Sequence, residues 1–76
     1  MTPTLDTLKP GERAMILSID GNPGLVQRLY EMGLLEGEPI EFIGRAPLGD
    51  PIEIRVGNTR LSLRKSDAAG VRVTLA

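Results

Sequence analysis

The chain has 76 residues, nine basic and ten acidic side chains, a net charge of -1, and neither histidine nor cysteine. That length holds one small domain, residues 1–76, near the size at which a single core barely outweighs the chain entropy lost on folding. Without histidine or cysteine there is no disulfide framework, no zinc motif and no imidazole base, and the near-neutral charge disfavours a partner held by many phosphate contacts.

Hydrophobic residues make up 41% of the chain, with one Phe, one Tyr and no Trp. Aliphatic side chains must therefore fill the core, and the aromatic set on which nucleic-acid modules stack bases is missing. The charge is uneven: residues 1–53 hold four basic and nine acidic side chains, residues 54–76 five basic and one acidic. The N-terminal stretch "MTPTLDTLKPGER" has no basic start and no apolar run, and no segment is long enough to span a bilayer, so a cytoplasmic protein without direct membrane insertion is expected.

"TLDTL" sets Leu5 and Leu8 to cover one end of the core, and after the turn Lys9-Pro10-Gly11 the run Arg13–Ile19 reads as a strand. Asn22-Pro23 supplies a cap residue and the residue best tolerated at the first helical position. In "PGLVQRLYEMG" the apolar positions Leu25, Leu29 and Met32 fall on one helical stripe, read as core packing, while Gln27, Arg28 and Glu31 turn outward. Gly33 stops the helix in the left-handed conformation, and Leu34 folds back on Leu29.

After Gly37, "IEFIGR" resumes strand character with Ile40 and Phe42 on one face. Pro47 and Pro51 cannot donate ladder hydrogen bonds, so the strands pause in a built loop between Arg45 and Ile52, with Leu48 at its tip. Gly57-Asn58 is a two-residue hairpin turn. Pairing Val56 with Thr59 sets Ile54 against Leu61 and Ile52 against Leu63, all on the core side, and places Arg55 directly opposite Arg60 on the outer face. Like charges so placed are destabilising by a few tenths of a kcal/mol. They call for an acidic partner surface or for local neutralisation by Glu41 or Glu53. The chain closes with "SDAAG", one turn capped by Ser66, and "VRVTL", in which Val71, Val73 and Leu75 point inward and Arg72 outward.

Five short strands with one inserted short helix and no room for βαβ crossovers make a mainly β fold, a small barrel. The SH3-like five-stranded barrel and the OB-fold both fit, and the SH3-like barrel is the choice. No catalytic constellation is present. "DGNPG" stands between strand and helix as a phosphate loop does, but lacks the Gly-Lys-Ser/Thr ending. Glu36, Glu38, Glu41, Asp50 and Glu53 lack the spacing of a calcium loop, and the serines have no histidine base. The expectation is a protein that is no enzyme and has no cofactor, metal or nucleic-acid ligand.

Arg28-Leu29 followed by Met32-Gly33-Leu34 and Gly37, the loop Ala46-Pro47-Leu48-Gly49-Asp50-Pro51, and Leu63-Arg64 before the last turn together resemble the ferrous-iron transport protein A family, the FeoA domain. The resemblance reaches back to "LDTLKPGERAMILSI" and covers nearly the whole chain; Glu36 departs from the proline that the family often has before the glycine. It implies an SH3-like barrel in the bacterial cytosol that regulates ferrous iron uptake by binding the cytosolic part of the membrane ferrous-iron transporter B. Related modules end the iron-dependent repressors, which is the alternative, beside a nucleic-acid-binding small barrel. The family brings no catalytic or metal residues to carry over. The residues themselves point to a partner-binding surface made of Leu48 and the basic strip Arg55, Arg60 and Arg64, the alternative for Arg64 being to satisfy the barrel end instead.

Overall fold

The strand periodicity of the sequence becomes one antiparallel sheet in the computed structural model, which describes residues 2–76. A 3-10 turn at Leu5–Thr7 leads into β1 (Arg13–Ile19), α1 (Pro23–Glu31), β2 (Pro39–Arg45), β3 (Ile52–Val56), β4 (Thr59–Leu63), the single turn α2 (Lys65–Ala68) and β5 (Val71–Leu75). The strands lie in the order β4-β3-β2-β1-β5. Such short elements stand only because one core serves them all. Ala14, Ile16, Ile40, Phe42, Ile52, Ile54, Val71 and Val73 from the sheet are buried with Leu5, Leu8, Leu29 and Leu34.

Strict alternation would turn Ser18 rather than Ile19 inward. A register shift between Ile16 and Ser18 on the β5 side makes Leu17 the extra residue, and Ile19 is buried as a result. A second shift between Phe42 and Gly44 opposite β3 does the same for β2 and aims Arg45 at the end of the barrel.

The helix forms as its caps dictate. Asn22 Oδ1 accepts the Leu25 N–H at 2.8 Å and Pro23 follows at the first helical position. At the other end Gly33 has φ +96°, the Leu34 N–H reaches the Leu29 carbonyl at 3.0 Å, and the Gly33 N–H reaches the Tyr30 carbonyl at 3.0 Å. This pair of bonds is the Schellman closure. Leu29 is buried, while Leu25, Val26 and Met32 pack partly buried against the core.

Two expectations are corrected. Ser66 does not cap α2: Arg64 occupies the cap position with no side-chain bond, and Asp50 Oδ1 accepts the Lys65 N–H at 3.0 Å instead. Leu75 does not join the core with Val71 and Val73; it pairs with Ala14 at the end of the β1–β5 ladder and is 52% exposed, because the core thins out at that end of the sheet.

Candidate interaction surface

The hairpin has the register that its side chains demand. Gly57 carries the turn's one positive φ, +60°, as a type II′ turn requires, and Val56↔Thr59, Ile54↔Leu61 and Ile52↔Leu63 pair as the inward aliphatics specify. The same register sets Arg55 against Arg60. Their charges are met locally. Glu41, opposite Arg55 on β2, brings Oε1 to 3.7 Å from Arg55 Nη1, and Arg60 Nη2 donates to Glu53 Oε1 at 3.0 Å. All four side chains keep solvent contact, so each pair contributes a few tenths of a kcal/mol.

The uneven charge of the sequence disappears on folding. Arg28–Asp67, Arg55–Glu41, Arg60–Glu53 and Arg72–Asp20 each join a residue of the first 53 to one of the last 23. Arg64 differs: among the described residues no carboxylate lies within ion-pair distance of it, and its side chain is exposed. Its carbonyl accepts the N–H groups of Asp67 and Ala68, both at 3.0 Å, which starts α2 and holds the residue in place.

Leu48 stands at the tip of the proline-flanked loop and is 97% exposed. The loop beneath it is well tied. The Gly49 N–H bonds the Ala46 carbonyl at 2.7 Å, the Ala46 N–H bonds the Pro51 carbonyl at 3.0 Å, and Asp50 reaches α2. An apolar side chain thus projects from a braced support. Arg60 and Arg64, four residues apart along β4, are separated by about 13 Å at the strand rise. The expected surface therefore falls into two parts, Arg55 with Arg60 near the hairpin turn and Leu48 with Arg64 near the loop.

The barrel end that Arg64 was placed to satisfy is closed by Arg45. Its Nη2 donates to the carbonyls of Asp6 at 2.7 Å and Leu8 at 3.0 Å, and its guanidinium carbon lies 4.7 Å from the centre of the Phe42 ring. Sequence reasoning missed this role because it depends on the bulge in β2. Tyr30 Oη donates to Glu36 Oε2 at 2.8 Å, and this hydrogen bond, followed by desolvation and the Glu36 charge, holds the phenol above its ordinary pKa of 10.0. Among the described residues no three carboxylates come together as a metal site.

The FeoA domain family model matches residues 4–75. A fusion protein of Porphyromonas gingivalis, Fe(2+) transport protein A joined to Fe(2+) transporter FeoB, is 37% identical over 71 residues; the match takes in 93% of this chain and 8% of that protein. The solution structure of FeoA from Chlorobium tepidum superposes with a TM-score of 0.91 at 36% identity, over 96% of this chain and 70% of that one. FeoA of Stenotrophomonas maltophilia, solved with zinc and described as a prokaryotic SH3 domain protein, gives 0.81 at 33% identity, over 93% and 88%. A manganese-dependent transcriptional repressor shares the fold, at 14% identity and a TM-score of 0.88, over 44% of its length. The five-stranded SH3-like barrel and the sequence matches agree, and the chain belongs to the FeoA domain family.

Proposed function

We propose that the chain is an accessory of ferrous iron uptake that acts in the bacterial cytosol, without chemistry of its own, by binding the cytosolic part of the membrane ferrous-iron transporter. The observation that carries this reading is the Porphyromonas gingivalis protein in which a relative of this chain is covalently joined to Fe(2+) transporter FeoB. Two modules fused in one chain work at high effective concentration, and the same modules on separate chains need a binding surface to do so. Leu48 supplies the apolar anchor of that surface. Arg64, near Asp50 and Pro51 at the base of the loop that carries Leu48, supplies an unpaired cation, and Arg55 and Arg60 form the polar rim, where charge contributes encounter rate and orientation more than affinity. Because Arg55 and Arg60 are already neutralised by Glu41 and Glu53, they contribute less than Leu48 and Arg64.

Co-sedimentation of the purified protein with membranes that contain the transporter, against matched membranes that lack it, tests the reading. Transporter-dependent sedimentation that is reduced by Leu48→Asp is the expected result. Equal sedimentation with both membranes contradicts it.

A further inference from the structure

The two edges of the sheet differ. Along β5 the outer edge is covered by the N-terminal segment: the Val73 N–H donates to the Pro3 carbonyl at 2.9 Å and Thr4 pairs with Arg72. Along β4 nothing among the described residues covers it. In a two-residue hairpin the cross-strand pairs alternate. Val56 with Thr59, Ile54 with Leu61 and Ile52 with Leu63 bond each other, so the N–H and C=O of Arg60 and Ser62 point away from β3 into the open.

A trough follows that edge. Arg28, Leu29 and Met32 of α1 face Ser62, Leu63 and Arg64 across a depression of about 320 Å³, which continues past Ser62 toward Asp50 and Pro51. Its apolar lining is Leu29, Met32 and Leu63. Its charged rim holds Arg64 without a carboxylate partner, while Asp67 sits 3.7 Å from Arg28 and Asp50 is engaged by the Lys65 N–H. Self-pairing of β4 about a two-fold axis is disfavoured by the same residues. Centred on Ser62 it sets Arg60 against Arg64 of the other copy, and centred on Leu61 it sets them on the diagonal, and like charges across a strand pair are destabilising. Edge arginines guard against a second copy and favour an acidic strand.

We propose that the open edge of β4 accepts an extended acidic segment of a partner protein as an added strand, with its backbone bonded to Arg60 and Ser62 and its carboxylates directed to Arg64. Main-chain bonds supply affinity in such an addition, and side chains supply selection. The inference shares with the function proposed above the assumption of a protein partner and the use of Arg64, but its test uses no transporter and reads the β4 backbone through Ser62→Pro and N-methylation, so the two fail separately.

The probe is a short capped peptide of alternating valine and glutamate, titrated into the full chain and followed by amide chemical shifts. The expected result is saturable binding with the largest shifts at Arg60 and Ser62. A valine–lysine peptide, and a valine–glutamate peptide N-methylated at alternate residues, should each bind at least about tenfold more weakly. Ser62→Pro removes an outward N–H without costing a bond to β3 and should abolish binding while the fold is kept. Arg64→Glu should weaken binding in the folded protein and serves also if Ser62→Pro does not fold. No saturable binding, equal binding of the N-methylated peptide, or equal binding of the lysine peptide overturns the proposal. So does a dimer that Ser62→Pro dissolves, which would assign the edge to a second copy.

Discussion

The carboxylate of Asp50 accepts the backbone N–H of Lys65 at 3.0 Å, across fifteen residues of chain. This bond gives α2 the cap that no residue of its own sequence provides, and it fixes the base of the loop that carries Leu48. One contact thus serves both fold and surface. Asp50→Ala should lower stability by about 1 kcal/mol, as for other lost caps, and Asp50→Asn by less, because Asn keeps an acceptor oxygen. Urea unfolding of the three proteins checks the order.

Gly33 has φ +96° and open space where a Cβ would sit, so any penalty at this position is backbone strain alone. Gly33→Val should cost roughly 1 kcal/mol or more, and Gly33→Asn less, since Asn enters the left-handed region more readily. Equal melting temperatures for all three proteins would contradict the Schellman closure of α1.

At Gly70 the constraint is space. A Cβ there would lie 2.3 Å from the Asp20 carbonyl oxygen, while the Asp20 N–H is bonded to the Gly70 carbonyl at 2.8 Å. Backbone meets backbone, so no side chain can yield. Gly70→Ala should destabilise by about 1–3 kcal/mol, in the range of an overpacked core. Thermal unfolding reports it, and an alanine variant as stable as the parent would contradict the close approach of the β1 end to the α2–β5 turn.

Tyr30 is the one tyrosine of the chain, so absorbance of its phenolate titrates it alone. Its pKa should lie above 10.0, and Glu36→Ala should bring it down toward that value, since the Glu36 hydrogen bond is the largest cause. A raised folded-state pKa means that the folded protein holds the proton more tightly than the unfolded chain. The stability from this contact is complete below pH 10 and is lost as pH rises through the folded-state value. Identical titration curves for parent and variant would contradict the contact.

Most of the fold was legible because local signals agreed with one another. Asn22-Pro23, Gly33 and the inward aliphatics of β3 and β4 each admitted one reading, and the structure has it. Even the opposition of Arg55 and Arg60 followed from side-chain sides and turn length. What stayed hidden rests on contacts between distant segments. Asp50 replaces Ser66 as the cap of α2, Arg45 closes the barrel over Phe42, and Leu75 ends the ladder opposite Ala14 with half its surface outside the core. No periodicity announces such relations, because they arise only once bulges and loops have set the strands. The surface divided in the same way: Leu48 is as exposed as its loop implied, while Glu41 and Glu53 supply the local neutralisation of the arginine pair.

The central claim, a binding module for the ferrous-iron transporter, is tested most directly by calorimetric titration of the purified chain into the purified cytosolic part of that transporter. The account predicts saturable binding that Leu48→Asp weakens by at least about tenfold, or 1.4 kcal/mol, with Arg64→Glu weakening it further and the circular dichroism of both variants unchanged. Absence of binding, or binding untouched by both substitutions, would contradict it.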